Sequence, residues 1–317
     1  MGVAVLSGVV ASLEQLPNYS VSYGVSSFSP TELRQVSAIP KWEQHTSGTS
    51  TPVGAPDASL PSRFIACVSR EETVRYLTRI FHGKGGLSDT VEIVAGENLA
   101  SVRDADVVLL CCKPQIAHSI LSQPGMNEAL EGKLLISILA GVTISQLTGW
   151  VQPSTRVVRA MPNTPCKIRE GMTVVSTLPS GPESERNKQI VLRIFSSIGR
   201  CRFLDEKHFD ACTAVSASGP AFACVFLEAM VDGGVMMGLP RAEALELAAQ
   251  TLQGAARMSL QPGAHPAQIK DAVTTPGGCT IAGLLTLEDG KVRSTIARAI
   301  QVATERASEL GQSSSIR

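Results

Sequence analysis

The sequence predicts an α/β fold: a parallel sheet covered by helices on both faces, then an all-helical domain. Three observations carry this. Between Arg63 and Leu204, short apolar strands alternate with helical segments. Several strands, among them Asp106–Cys112 and Lys133–Leu139, are apolar on both faces, as a sheet enclosed by two helix layers requires. From Glu206 onward the alternation stops and only helical periodicity remains.

Composition bounds the class. The 317 residues are 44% hydrophobic and 18% charged, ordinary for one large or two medium globular domains. The 28 basic residues balance 28 acidic ones and no basic tract occurs, so nucleic acid is not an expected partner. The eight cysteines form no CxxC pair and no zinc spacing, and Cys111-Cys112 lie inside an apolar run, so no metal site is expected. With no secretory signal at the start, a reducing, cytoplasmic location is expected. The most apolar long stretch, Ala211–Leu239, is interrupted by Glu228 and Asp232. It reads as a buried helix, not a membrane span.

The elements follow in order. Met1–Leu13 reads as a short apolar helix. Residues 17–61 are dense in Ser, Thr, Pro and Gly, with Pro17, Pro30, Pro40, Pro52, Pro56 and Pro61, and read as a surface insertion. Phe64–Val68 is a strand, Glu71–Phe81 a helix and Val91–Val94 a short strand. Asp106–Cys112 is a buried strand stopped by Pro114, and a helix runs from there to about Leu130. Strands follow at Lys133–Leu139, Thr155–Ala160 and Met172–Ser176. A helix at Glu183–Ile198 and a strand at Cys201–Leu204 complete the sheet half. In the helical half, Pro240 opens Arg241–Met258, whose Leu245, Ala249, Leu252 and Ala256 make one stripe. Pro266 opens a helix to about Val273. The last helix, Val292–Leu310, lines up Ile296, Ile300, Ala303, Ala307 and Leu310, with Gly311 ending it. The expected domains are 1–205 and 206–317. The small residues in the helical stripes permit close approach and suit pairing of two chains.

In such sheets ligands bind at the carboxyl ends of the strands. That directs attention to Ser69-Arg70, Lys113-Pro114, Ala140-Gly141 and Met161–Pro165. At the position of Ser69-Arg70 a dinucleotide-binding sheet places either an acid for a ribose hydroxyl or a Ser/Arg pair for a 2′-phosphate. No acid stands there, and the planar fork of arginine suits phosphate. Ser69 as a helix N-cap is an equally compatible reading. Lys113 faces the ligand crevice or snorkels to the surface, and Asn163-Thr164-Pro165 also fits a plain Asx-turn. His118, His208 and His265 show no metal spacing, and His265 before Pro266 reads as a helix start.

The richest stretch is Asp271–Glu288. Pro276 fixes its φ, Gly277 and Gly278 reach angles closed to other residues, and Ile281, Leu284, Leu285 and Glu288 then fall at helical spacing. Cys279 and Thr280 therefore sit in the first turn of a helix, whose amides lack internal partners and whose dipole favours an anion. A small carboxylate can approach there, with the Thr280 hydroxyl beside it. An ordinary helix–turn–helix corner explains the same residues.

Ser216-Ala217-Ser218-Gly219-Pro220-Ala221-Phe222, Asp232-Gly233-Gly234-Val235, Gly238-Leu239-Pro240-Arg241, Ala248–Thr251, Gly254-Ala255-Ala256, His265-Pro266, Lys270-Asp271 and Thr275–Thr280 resemble the helical half of the pyrroline-5-carboxylate reductases. Lys113-Pro114-Gln115, Ala140–Thr143 and Arg159–Pro165 resemble their earlier half. The likeness covers most of residues 62–312, and its motifs are specific taken together. It implies hydride transfer from NADPH (or NADH) to a cyclic imine, giving L-proline, the last step of proline biosynthesis. It also implies a Rossmann-like domain, a helical domain that interlocks two chains as a homodimer or higher homo-oligomer, and an active site at that interface. Thr280 would be the catalytic residue near the imine nitrogen. Thr275, Gly277, Gly278 and Thr280 would hold the substrate, and Gly2, Ser69, Arg70, Asn98, Lys113, Pro114, Ala140 and Gly141 the cofactor.

Two departures matter. The family's Gly-x-Gly-x-Met-Gly fingerprint follows a first strand, whereas here only Met1-Gly2 corresponds to it, and the insertion at 17–61 is atypical. The sheet is therefore expected to carry a gap beside Asp106–Cys112, with Tyr19–Val25 the one fragment able to compete for it. The alternative reading is a non-catalytic subunit or remnant that dimerises without binding cofactor. A related reductase acting on another cyclic imine is a third.

Overall fold

The computed structural model of the protein describes residues 1–15, 61, 63–83, 85–178, 181 and 183–313. The inserted stretch, Tyr19–Val25 included, lies outside the described residues. The described residues up to Pro220, with those from Ile296 on, form one compact unit, and those of Ala221–Thr295 form a second.

In the first unit the strands lie in two ladders. β1 (Ile65–Val68) and β2 (Glu92–Ala95) pair in parallel, linked through α2 (Glu71–Phe81). β3 (Val107–Leu110), β4 (Leu134–Ser137), β5 (Arg156–Pro162), β6 (Gly171–Ser176) and β7 (Gly199–Leu204) form a five-stranded sheet in chain order. Among the described residues no ladder joins β1 to β3, so the strand pattern breaks beside β3, where the gap is expected.

One pairing departs from the expected all-parallel sheet. β5 and β6 run antiparallel, Met161 opposite Val174. Their connector is only the short 3₁₀ turn Thr164–Ile168, and a parallel return needs a crossover of a dozen or more residues. The other links do hold helices: α3 (Asn98–Asp104) before β3, α4 (Pro114–Leu121) and α5 (Met126–Ala129) before β4, α6 (Ile144–Trp150) before β5, and α7 (Ser184–Ser196) before β7. The single helix expected from Pro114 to Leu130 is split because Pro124 and Gly125 intervene, the latter at φ 82°.

The central strands bury both faces, as their sequences require. In β4, Leu134 and Ile136 join one core cluster while Leu135 joins the other; in β5, Val158 and Val157 divide the same way. α1 (Gly2–Glu14) closes the first cluster, burying Val5, Val9, Val10 and Leu13 with Phe195 and Ile198. The helix thus has a packing surface that its position in the sequence did not reveal. A Cβ on Gly8 would overlap Ile198 Cγ2, so only glycine permits this approach.

After β7 a 3₁₀ turn at Glu206–His208 leads to α8 (Phe209–Cys212), a π-helical turn at Thr213–Ala217 and α9 (Gly219–Met236). The helical series continues with α10 (Arg241–Ser259), α11 (Pro266–Ala272), α12 (Cys279–Asp289) and α13 (Val292–Ser313). The last helix runs past Gly311, which tolerates helical angles and has no Pro behind it to force a stop.

Ala211–Leu239 is not the buried helix the sequence predicts. Within α9 only Val231 is buried, against Ala244 and Ala248 of α10. Of the most apolar window in Glu206–Met236, which by length and composition is able to cross a membrane, 11% is buried. The α10 stripe also faces outward, with Leu245 50% exposed. The chain covers its small-residue seam and leaves its larger apolar side chains uncovered.

Candidate active site

In the second unit, Thr275–Gly278 forms a hydrogen-bonded turn, the Gly278 N–H donating to the Thr275 carbonyl at 3.1 Å. Pro276 at the second position and Gly277 at φ 67° at the third make it a type II turn. Gly278 is the N-cap of α12 and carries no side chain to satisfy the first helical amides. A Cβ on it would stand 2.5 Å from Thr275 Oγ1. Both glycines are thus required, one for its angle and one for its space. The turn places uncapped amides, the dipole of an eleven-residue helix and the half-buried Thr280 together, a binding geometry for a small carboxylate. On the other side of the turn, α11 starts with the His265 Nδ1 accepting from the Ala267 N–H at 3.2 Å, the helix-start role read from His265-Pro266.

In the first unit the cofactor candidates all stand at one edge, the carboxyl ends of β1 to β4. Ser69 and Arg70 follow β1 and are exposed, and Arg70, not Ser69, is the N-cap of α2. Asn98 begins α3 after β2, its Oδ1 accepting from the Cys67 thiol at 3.1 Å. Lys113 is the exposed N-cap of α4 and Pro114 its first residue. Ala140 and Gly141 form the turn after β4, Gly141 at φ 74°. Gly2 opens α1, and a Cβ there would lie 2.9 Å from Cys111 Sγ at the end of β3.

Starts of α1, α2 and α4 carry no side-chain caps, and Arg70 and Lys113 form no ion pair among the described residues. Uncapped amides and unpaired cations around one sheet edge fit a multiply anionic dinucleotide. The thiol of Cys111 does not compete: desolvation pushes it up to about 12 although the residue's other atoms reach solvent, and desolvation also pushes Cys201 up to about 12. Both stay protonated at neutral pH.

Two residues of the Arg159–Pro165 stretch have roles that its sequence did not give. Asn163 is buried; its Oδ1 accepts from the Met172 N–H at 2.9 Å and its Nδ2 donates to the Ser216 carbonyl at 3.0 Å. It is a clamp across β5, β6 and the π-helical turn, not the simple Asx-turn that its sequence context allowed. Asn163→Ala is expected to lower unfolding free energy by about 1–3 kcal/mol, since two part-buried backbone groups lose their partners. Urea denaturation measures this; a change below about 0.5 kcal/mol would make the clamp dispensable. Arg159 is buried on β5, with its guanidinium 4.7 Å from the Phe209 ring centre and Nη1 3.0 Å from Glu206 Oε1. A charged residue inside the otherwise apolar run Val157–Pro162 is the signal that points to it.

Comparison with known proteins agrees with this layout. Residues 206–310 match the family model for pyrroline-5-carboxylate reductase dimerisation, and 53–141 that for coenzyme F420-dependent NADP oxidoreductases. The chain is 50% identical over 255 residues to the pyrroline-5-carboxylate reductase of Schizosaccharomyces pombe, covering 80% of this chain and 87% of the relative. It belongs to the pyrroline-5-carboxylate reductase family. The Lophium arboricola enzyme is 44% identical, covering 98% of this chain and 91% of its own length. Among solved structures, the Plasmodium falciparum pyrroline carboxylate reductase with NADP bound is 28% identical with a TM-score of 0.64, covering 79% of this chain and 98% of that one. The Coxiella burnetii enzyme is 27% identical with a TM-score of 0.66, covering 79% and 99%. The fold is accordingly a Rossmann-like domain followed by the helical dimerisation domain of the family.

Proposed function

We propose that this chain reduces the cyclic imine pyrroline-5-carboxylate to proline with NADPH, NADH being the weaker donor. The observation that carries the reading is the Thr275–Thr280 turn, which supplies carboxylate-binding amides and a hydroxyl in one place. The reduced nicotinamide supplies the hydride when bound. The ring nitrogen must carry a proton so that its carbon can accept that hydride, which would leave the carbon–nitrogen bond single. The protein's part is positioning and charge complementarity. The amides of α12 hold the substrate carboxylate, and Thr280 orients the imine nitrogen. Arg70 with Ser69 meets the 2′-phosphate, the basis for the NADPH preference. Asn98, Lys113, Pro114, Ala140, Gly141 and Gly2 line the rest of the cofactor.

The division of labour is 1–205 for cofactor and 206–317 for substrate and dimerisation. The outward apolar side chains of the helical part, Val225, Phe226, Met236, Leu245 and Leu247 among them, support homo-oligomerisation. Glu228 and the Asp232–Arg241 ion pair at 2.9 Å support reading that surface as a protein interface and not a lipid-facing one. No nucleic-acid partner belongs to this reading. A cytoplasmic location fits the eight free thiols.

The decisive assay is NADPH oxidation followed on addition of pyrroline-5-carboxylate, with NADH in parallel. Sedimentation at micromolar concentration should show a dimer or larger species; a monodisperse monomer would remove the oligomeric reading. The break between β1 and β3 favours a second reading, a subunit that dimerises without binding cofactor. An assembled oligomer without NADPH binding would establish it.

A further inference from the structure

The turn Ala140–Gly141 is held at one end by β4, where the Leu139 N–H donates to Ser137 Oγ at 3.3 Å. At its other end, Thr143 and Gln146 form a capping box on α6. One donor there, the N–H of Ile144, is met from far along the chain: it donates to Glu206 Oε1 at 2.9 Å. The same oxygen accepts from Arg159 Nη1 at 3.0 Å.

Arg159 is fixed in turn. Its backbone N–H donates to Ser176 Oγ at 3.0 Å, it sits opposite Ser137 in the β4–β5 register, and Phe209 lies against its guanidinium. Burying an arginine is costly unless it is paired, and a well-packed apolar pair would serve stability equally well. What an apolar pair could not do is accept a hydrogen bond from the first amide of α6, three residues past Gly141.

We propose that Glu206, backed by Arg159, is a positioning residue for the Ala140–Gly141 turn, acting on cofactor affinity and not on the hydride step. This rests on the reading of that turn as cofactor-binding. The two bonds to Oε1 respond differently to chain length. The attraction to the arginine charge weakens only gradually as the carboxylate retreats, whereas the bond to the Ile144 amide, fixed in a helix, is lost once the oxygen leaves its reach.

Two substitutions separate the roles. Glu206→Asp keeps the charge beside Arg159 but withdraws the oxygen from the Ile144 amide. It should raise the KM for NADPH about tenfold, the scale of one lost charge-assisted hydrogen bond, with kcat and the imine KM within about twofold of the parent. Deuterium exchange at the Ile144 amide should quicken. Glu206→Gln keeps the reach and an acceptor but removes the charge; it should leave the NADPH KM within about threefold and lower the Tm more than Glu206→Asp does.

A Glu206→Asp chain with faster exchange at Ile144 and an unchanged NADPH KM would overturn the proposal. Equal losses of affinity in both variants, tracking Tm, would overturn it too, by showing a merely structural role. If Glu206→Gln does not fold, Glu206→Asp alone decides. Failure of the cofactor reading is separate, because the parent chain would then show no NADPH-dependent reduction at all.

Discussion

Thr280→Ala is expected to lower the turnover of pyrroline-5-carboxylate about 10²-fold and to leave NADPH affinity essentially unchanged. The split follows from where the residue stands. The amides that receive the carboxylate belong to the backbone of α12 and survive the substitution, as does the type II turn that Pro276 and Gly277 create. On the proposed reading, what is lost is a hydroxyl beside the atom whose charge changes during hydride transfer. Groups aimed at such an atom act mainly in the transition state, so kcat falls more than the KM rises. Thr280→Ser should recover most of the rate. NADPH affinity, measured by quenching or enhancement of its fluorescence, is indifferent because the cofactor residues lie on the sheet edge of the first unit. Unchanged turnover in Thr280→Ala would make Thr280 a plain helix-start residue.

The strands and helices at the core were legible because their physical signals are local. Leu134-Leu135-Ile136 is apolar on both faces and is buried on both; Pro114, Pro240 and Pro266 open or precede helices where their fixed φ requires it. The Pro-Gly-Gly turn was legible for the same reason, since each residue type has one conformational use there. What escaped was non-local. The antiparallel β5–β6 pair depends on connector length and not on the strand sequences. The Asn163 clamp and the Arg159–Glu206–Ile144 chain join residues tens of positions apart, and no periodicity marks such pairs. The apolar stripe Leu245-Ala249-Leu252-Ala256 was correctly located on its helix, yet periodicity does not say whether a stripe is covered by its own chain or by another.

A chain carrying an added upstream strand that ends in Gly-x-Gly is expected to bind NADPH markedly more tightly than the 317-residue chain, and to unfold at higher denaturant. The reason lies in the break between the two ladders. β1 bonds to β2 through the Glu92 and Gly96 amides, and β3 bonds to β4 through the Leu134 and Ile138 amides. On their other edges neither has a strand partner among the described residues. Ala66, Val68, Val107 and Leu109 pack their side chains, partly buried, against the main core, so both strands belong to the same packed layer. A parallel strand laid along these edges would add about 0.5–1.5 kcal/mol net for each bond formed. The same strand would end above Gly2, at the start of α1 and beside Cys111, which is where a dinucleotide fold turns on glycines to seat the pyrophosphate. Stability and cofactor affinity should therefore rise together. The measurement is NADPH titration by fluorescence on both chains, with urea unfolding alongside. Micromolar binding by the 317-residue chain alone would overturn this expectation, and would mean that its own residues already complete the phosphate site without an added strand.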